Sequence, residues 1–534
     1  MAKRAAAATR KLATPQSVNA VVKSICDIMR RSNCAGALQY VPELTWILFL
    51  RILDEREGTE AEAAKAVGAE FTPTLKAPYR WRDWAAPDGA RRKALKDGAL
   101  GGFLSFVNDD LLPQLRALEE KPGATPRQKI VAEIMSGVEK TRIDTEKNFL
   151  DVIDKVDEIT AEAVDPTHVF TLSQVYEGLL LQMGQKNNDG GQFFTPREVI
   201  RAMVRVVDPK VGETVYDPGC GTGGFLAQAF EHMAGPNNEK VARPEDLELL
   251  RRCTFYGREK DNVIYPIALA NLVLHGIDEP RIWHGNTLTR AEQYGGLFAD
   301  APPLFDVVLM NPPFGGKEGK EAQTRYAYKT GATQVLFLQE VMDSLQPGGR
   351  CGIVVDEGVL FRTNENAFVQ TKRKLLDDFD LWCLVSLPAG AFVNAGAGVK
   401  TNLLFFTRGG PTEKVWYHDL SDVKVGKKSP LTIAHFEEFF RLLPARADSD
   451  HSWTVTRAEI EARGFDLKAV NPHARPVEDT RTPEELLDII EAKGKEAAVA
   501  IAELRALTAK ARAEDAAQRP DEQAANAAER GRVP

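Results

Sequence analysis

The sequence predicts an α/β protein: a mainly parallel sheet with helices between its strands, a helical domain before it and one long helix after it. Three observations predict this. From about residue 166, short apolar runs alternate with helical stretches: "ETVYDPG", "CTFYGREKD", "RIWHGNTL", "FDVVLMNPP", "RCGIVVDEG", "LWCLVSLPAG" and "TNLLFFTRGG". Strands alternating with helices make βαβ units. Upstream, "SVNAVVKSICDIMRRS" and "ELTWILFLRILDEREG" space their apolar residues as helices do. Beyond about residue 477 the pattern is one uninterrupted helix. A chain of 534 residues exceeds one ordinary core, so several domains are expected.

Taken in order, residues 1–14 read as a flexible basic tail and 15–165 as a helical domain. Within the latter, "APYRWRDWAAPDG" places Tyr79, Trp81 and Trp84 in a proline-flanked loop. Buried aromatics dominate core energetics, so these three are expected to fasten the loop to the helices. Residues 166–476 form the α/β domain. Residues 477–515 form the long helix, opened by the capping box Thr482-Pro483-Glu484-Glu485 with proline at the first helical position. Residues 516–534 are polar and are expected to be disordered.

Composition narrows the function classes. Hydrophobic residues make up 43% and charged residues 27%, as in a soluble globular protein. The formal net charge of −8 argues against strong nucleic-acid binding by this chain unaided, while leaving room for a local basic groove. The 6 cysteines form no CxxC pair and the 8 histidines are dispersed, so reduced thiols and no metal centre are expected. The most apolar helical stretch, "LTWILFLRIL", is short and contains Arg51, so no membrane span is expected. The N-terminal residues lack the apolar core of a secretory signal, which suits a cytoplasmic protein.

The chemistry sits at the strand ends, where α/β sheets place their ligands. "TVYDPGCGTGGF" follows a strand and opens a helix, and Gly219, Gly221 and Gly224 satisfy G-x-G-x-x-G. Alone, that pattern equally fits a nicotinamide-dependent oxidoreductase. Two details turn the reading elsewhere. Asp217 precedes the glycines, and a carboxylate there repels a pyrophosphate but attracts a cation. Glu259 ends the next strand, where it can accept both ribose hydroxyls, at a separation longer than the roughly 20 residues of the dinucleotide pattern. Asn286, ending the third strand, can hydrogen-bond an adenine ring. A nucleoside with a positive centre and no phosphate describes S-adenosylmethionine.

"DVVLMNPPFGGK" begins as a strand and stops at Asn311-Pro312-Pro313-Phe314. The lone pair of an exocyclic adenine amine is delocalised into the ring. A site that methylates it needs acceptors aimed at the N–H bonds, which strengthen as charge develops on nitrogen. The Asn311 side-chain carbonyl and the Pro312 backbone carbonyl can be those acceptors. The two prolines stiffen the loop and remove competing N–H groups. Phe314 offers a ring for a base that must leave the duplex stack, a step costing a few kcal/mol.

"DPGCGTGGF", "NPPF" and the upstream "GQFFTPREV", in this order, resemble the modification subunit of type I restriction–modification systems, an N6-adenine DNA methyltransferase family. "PYRWRDW" and "AGVKTNLLFF" carry the same resemblance, which covers nearly the whole chain. It implies a Rossmann-like S-adenosylmethionine-dependent methyltransferase domain. It also implies that Gln192, Phe193, Phe194, Thr195, Pro196 and Arg197 line the cofactor pocket, with Thr222, Gly223, Gly224 and Glu259 in contact. Read locally, "QFFTPREV" is also a helix start with Thr195 as cap, Pro196 at the first position and Glu198 at the third. The implied partners are double-stranded DNA, a specificity subunit bound by two copies of this chain, and a restriction subunit where one is present. The apolar seam Leu486, Ile490, Ala497, Ala500, Leu504 and Leu507 would form part of the contact with the specificity subunit.

Two features stand apart. Asp356 occupies a position after a strand where the family pattern leads one to expect proline. Residues 315–334 have no apolar period and read as a mobile loop or an ordinary surface loop. Two other functions share parts of the pattern. Protein glutamine methyltransferases use an Asn-Pro-Pro-aromatic loop but lack "FFTPR" and a large helical domain. A scaffold that has lost catalysis would not need Asn311 and the glycine loop.

Overall fold

The computed structural model describes residues 15–32, 34, 37–98, 101–158, 195–392, 399–426, 429–473 and 482–530. The tail 1–14 and Gln192, Phe193 and Phe194 lie outside these residues, as does the side chain of Leu507. Two compact units are present, Met1–Pro472 and His473–Pro534. Among the described residues, no helix is long and apolar enough to cross a membrane.

The N-terminal region of the first unit is helical. The helix Ala37–Ala66 buries Leu44, Trp46, Ile47, Leu48, Phe49 and Leu50, a run apolar on all sides and therefore central to the core. The helix Glu146–Asp157 starts where Thr145 accepts the Asn148 N–H, and it buries Phe149, Val152, Ile153 and Val156 along one face. The aromatics of "PYRWRDW" fasten their segment to this core. Trp81 and Trp84 meet edge to face at 5.5 Å, and the Trp81 indole N–H donates to Asp157. Tyr79 stacks on Phe106 and its hydroxyl donates to Asp110.

The second part of this unit is a 10-stranded sheet. Its strands are β1 (Val215–Asp217), β2 (Phe255–Glu259), β3 (Arg281–Asn286), β4 (Ala291–Tyr294), β5 (Phe305–Met310), β6 (Leu345–Asp356), β7 (Phe379–Ser386), β8 (Thr401–Arg408), β9 (Lys414–Asp419) and β10 (Ser452–Thr456). Their order is β10-β9-β7-β8-β6-β5-β1-β2-β3-β4. The strands β6-β5-β1-β2-β3 are parallel, as the sequence predicts. The rest is mixed, because β8 lies antiparallel between β6 and β7. Its apolar run is buried on both faces, and such a run carries no mark of direction. The strands β4, β9 and β10 are absent from the sequence reading; β4 is polar and largely exposed, so no apolar run announces it.

The chain leaves β1 in one direction through β2 and β3, and in the other through β5 and β6. The crevice between the ends of β1 and β5 is therefore the switch point of the sheet, where ligands bind in such folds. Helical and α/β regions are joined by the Arg56 guanidinium, which donates to Val273 O at 3.1 Å and pairs with Asp278, and by Arg127, which reaches Asp278 at 3.3 Å.

The second unit carries the helix Pro483–Arg530. Its capping box forms as predicted: the Thr482 N–H donates to Glu485 at 2.8 Å, and the Glu485 N–H to Thr482 Oγ1 at 3.2 Å. The helix continues past residue 515, where the sequence reading places disorder. The composition of that stretch cannot build a core, but alanine, glutamate, glutamine and arginine are strong helix formers.

Candidate active site

A cavity of about 370 Å³ opens at the switch point, within the size range of small-molecule sites. One wall is the glycine loop. A Cβ at Gly219 would meet the end of the Met310 side chain, Cε, at 2.9 Å, so a larger residue there would displace that side chain. Gly223 takes φ 81° to turn the chain into the helix Gly224–Ala234, and a Cβ there would press on Leu272 at 3.0 Å. The loop is tied to its neighbours by Cys220 N–H to Arg258 O at 2.9 Å and by the Asn271 amide to Thr222 O at 2.8 Å. Asp217, Gly219, Gly221, Thr222 and Gly224 line the cavity; Gly223 and Pro196 do not.

Two buried carboxylates shape this wall. Asp217 accepts the Gly219 N–H at 3.0 Å. Burial pushes its carboxyl up to about 8, against that hydrogen bond and with the charge of Glu259 adding to the rise. Glu259 accepts the Gly221 N–H at 2.9 Å and the Lys260 and Asp261 N–H groups at 2.8 Å each. Burial raises it to about 7 despite these bonds. A carboxylate has about four acceptor positions, so roughly one is left for a ligand. That fits one ribose hydroxyl on Glu259 better than the two read from sequence. Asn286 lines the cavity too, but its Oδ1 accepts the Leu288 N–H at 3.0 Å and the Thr289 N–H at 3.3 Å. Its Nδ2 hydrogens are the groups left for a ring nitrogen. Thr287 beside it donates to Pro218 O at 2.6 Å, joining this loop to the glycine loop.

The facing wall is the loop after β5. Asn311, Pro313 and Phe314 line the cavity, while Pro312 is buried and is not among the lining residues. The Asn311 Nδ2 donates to Thr195 Oγ1 at 3.0 Å, and its Oδ1 is buried with no hydrogen-bond partner among the described residues. A buried, unmet carbonyl is costly and calls for an explanation. The Thr195 bond also corrects the local reading of "QFFTPREV". Pro196, with ψ 130°, is the cap residue of the helix Arg197–Val207 and makes no side-chain cap. The helix therefore begins one residue later than predicted, which frees Thr195 to orient Asn311. Phe314 meets Phe392 edge to face at 5.5 Å and stays partly exposed.

Residues 315–334 are tied to their surroundings by hydrogen bonds. The Glu318 N–H donates to Gly331 O at 2.8 Å, Thr333 N–H to Gly316 O at 3.2 Å, and Thr333 Oγ1 to Glu318 at 3.0 Å. Polar bonds to buried side chains hold this segment, and an apolar period does not register them. Asp356 caps the short helix Glu357–Phe361 by accepting the Val359 N–H at 2.9 Å, which accounts for an acid where proline is expected. Thr333 and Phe337, from the helix Thr333–Ser344, also line the cavity and carry no sequence signal of it.

The N-6 DNA methylase family matches residues 168–480, and the HsdM N-terminal domain family matches residues 18–156. The chain belongs to the N-6 DNA methylase family. Among its relatives is the methylase subunit of the Escherichia coli type I restriction enzyme EcoEI, 35% identical over 88% of this chain and 93% of that one. A solved modification subunit assigned to a type I restriction enzyme of Vibrio vulnificus is 33% identical, with a TM-score of 0.74 over 90% of this chain and 100% of that one. A chain from a solved type I restriction–modification system is 38% identical, with a TM-score of 0.70 over 93% of this chain and 99% of that one. This member is accordingly an S-adenosylmethionine-dependent adenine-N6 DNA methyltransferase of the type I restriction–modification class.

Proposed function

We propose that the two walls of the cavity divide the reaction between them. Asp217, Glu259, Asn286 and the glycine loop hold S-adenosylmethionine, with Thr195 and Arg197 at its edge; the family pattern adds Gln192, Phe193 and Phe194. The residues fit that cofactor: the cavity is large enough, close approach is possible at Gly219, and buried carboxylates face a cationic ligand. When bound, the cofactor supplies an electrophilic methyl group. Asn311 Oδ1 accepts a hydrogen bond from the extruded adenine amine and draws electron density onto its nitrogen. The Pro312 carbonyl becomes a second acceptor once the base is in place. Phe314 stacks on the base, worth roughly 1–3 kcal/mol against the cost of flipping. No general base is needed before attack, since the amine loses its proton only after it has gained the methyl. The observation that carries this reading is the Asn311 side chain, whose Nδ2 donates to Thr195 and whose buried carbonyl has no hydrogen-bond partner among the described residues.

Sequence choice is assigned to a second protein. This chain is net acidic, and site-specific readers need base-reading side chains on a basic surface. On the C-terminal helix, Ile490 and Leu504 of the apolar seam are 67% and 63% exposed. We place that helix in the contact with a specificity subunit, two copies of this chain to one, acting in the cytoplasm on double-stranded DNA. Methyl transfer is measured with labelled cofactor, and the product is mapped by sequencing modified bases. The expected product is N6-methyladenine at one DNA sequence, only when the specificity subunit is present. Label in protein, or site-specific methylation by this chain alone, would overturn the respective half. Truncation before Thr482 is expected to spare cofactor binding and to impair co-purification with the specificity subunit; an undiminished complex would remove the helix from the interface.

A further inference from the structure

The helix Thr333–Ser344 carries a buried carboxylate that the mechanism above does not use. Glu340 is 3% exposed. Its Oε1 accepts from Arg290 Nη2 at 2.6 Å, and its Oε2 accepts from the Tyr326 hydroxyl at 2.9 Å. The two donors come from different segments, Arg290 from the loop after β3 and Tyr326 from the stretch that follows the loop after β5.

Arg290 closes the loop that follows β3. Its N–H donates to Asn286 O at 2.7 Å, and its φ of 61° is uncommon for a residue other than glycine. The same loop presents Asn286, Thr287 and Leu288 to the cavity. Tyr326 lies in the segment that continues the catalytic loop. That segment is also gripped by Gln339, one residue before Glu340: the Tyr328 N–H donates to Gln339 Oε1 at 2.9 Å, and Gln339 Nε2 donates to Tyr328 O at 3.0 Å. Neither Arg290, Tyr326 nor Glu340 lines the cavity. A buried ion pair adds little net stability over apolar residues of the same shape, although losing one partner is costly. Geometry is then the better account of why an acid stands here.

We infer that Glu340 is a positioning residue that couples the cofactor-side loop to the catalytic loop, so that seating one substrate stiffens the grip on the other. This rests on the assignment of the two walls given above. Coupling of this kind is reciprocal, and it shows as an effect that crosses from one side to the other.

The test uses the full chain assembled with its specificity subunit, with Tyr326→Phe, Arg290→Met and the pair. Cofactor Kd is measured by calorimetry, methyl transfer by single turnover at saturating cofactor, and Tm by melting. Tyr326→Phe removes one oxygen on the target side and is expected to weaken cofactor binding about three- to tenfold. Arg290→Met, on the cofactor side, is expected to slow transfer about tenfold even with cofactor saturating. The pair is expected to fall short of the product of the singles, as coupled residues do. Variants that lower Tm alone, or that each disturb only their own side, would overturn the inference. A wild-type assembly that binds no cofactor or transfers no methyl would overturn the underlying assignment instead, before any variant is compared.

Discussion

The cofactor wall and the target wall of the cavity are finished to different degrees. On the cofactor wall, Glu259 accepts three backbone N–H groups and Asp217 one, and the Asn286 carbonyl is taken up by its own loop. On the wall assigned to the target, the Asn311 Nδ2 bonds to Thr195 and its carbonyl has no partner among the described residues. The first wall is largely engaged by its own backbone and keeps about one acceptor position on Glu259 and the Asn286 Nδ2 for a ligand. On the proposed assignment, the second keeps the Asn311 carbonyl for the substrate. The difference suits their tasks: a binding surface gains from being preformed, whereas an acceptor that strengthens as charge builds on the attacking nitrogen acts on rate.

Asn311 is expected to show the largest effect. Asn311→Ala is expected to slow methyl transfer on the order of 100-fold or more while leaving cofactor Kd unchanged. Single-turnover transfer and calorimetry on the same preparation decide it, and a rate above a tenth of wild type would show that the acceptor lies elsewhere. The converse case is Glu259→Ala. Loss of a charged hydrogen bond to the ribose should weaken cofactor binding about 10- to 100-fold. Three backbone donors lose their acceptor as well, so Tm should fall; an unchanged Kd would mean that another group holds the ribose.

Thr195 sharpens the contrast, because it belongs to one motif and serves the other. Thr195→Val keeps the shape and removes the acceptor for Asn311 Nδ2. Transfer is expected to slow about tenfold, from an amide no longer held in one orientation. Equal losses in cofactor affinity and in rate would instead make Thr195 a cofactor ligand alone.

The smallest effect is in pH. Asp217 and Glu259 titrate at about 8 and about 7 in the folded chain, against 3.8 and 4.5 ordinarily. The folded state therefore holds protons that an unfolded chain has released, and stability falls as pH rises from about 4 towards 8, levelling above that. A cationic ligand favours the ionised forms. Its binding should release protons and tighten roughly several-fold between pH 6 and 8. Calorimetry in two buffers of different ionisation enthalpy measures the release; no release at pH 7 would mean that these carboxyls do not face the cation.

The parallel centre of the sheet, the glycine loop, the Asn-Pro-Pro-Phe loop and the capping box at Thr482 are legible in the sequence, because each rests on local chemistry: a strand's apolar run, a missing Cβ, a missing N–H, a hydroxyl three residues before a glutamate. Three features came from long-range packing. It reversed β8, because a doubly buried apolar run reads alike in both directions. It placed the start of the helix at Arg197 one residue later, with the Thr195 hydroxyl turned to Asn311, more than a hundred residues away in sequence. It pinned residues 315–334, because Gln339 and Glu340 supply the partners that no periodicity in that segment announces. At Arg197 a bond between residues 116 apart stands where a capping preference worth about 1 kcal/mol pointed to a different start, while at β8 and at 315–334 the local sequence expressed no preference and the pairing alone decided.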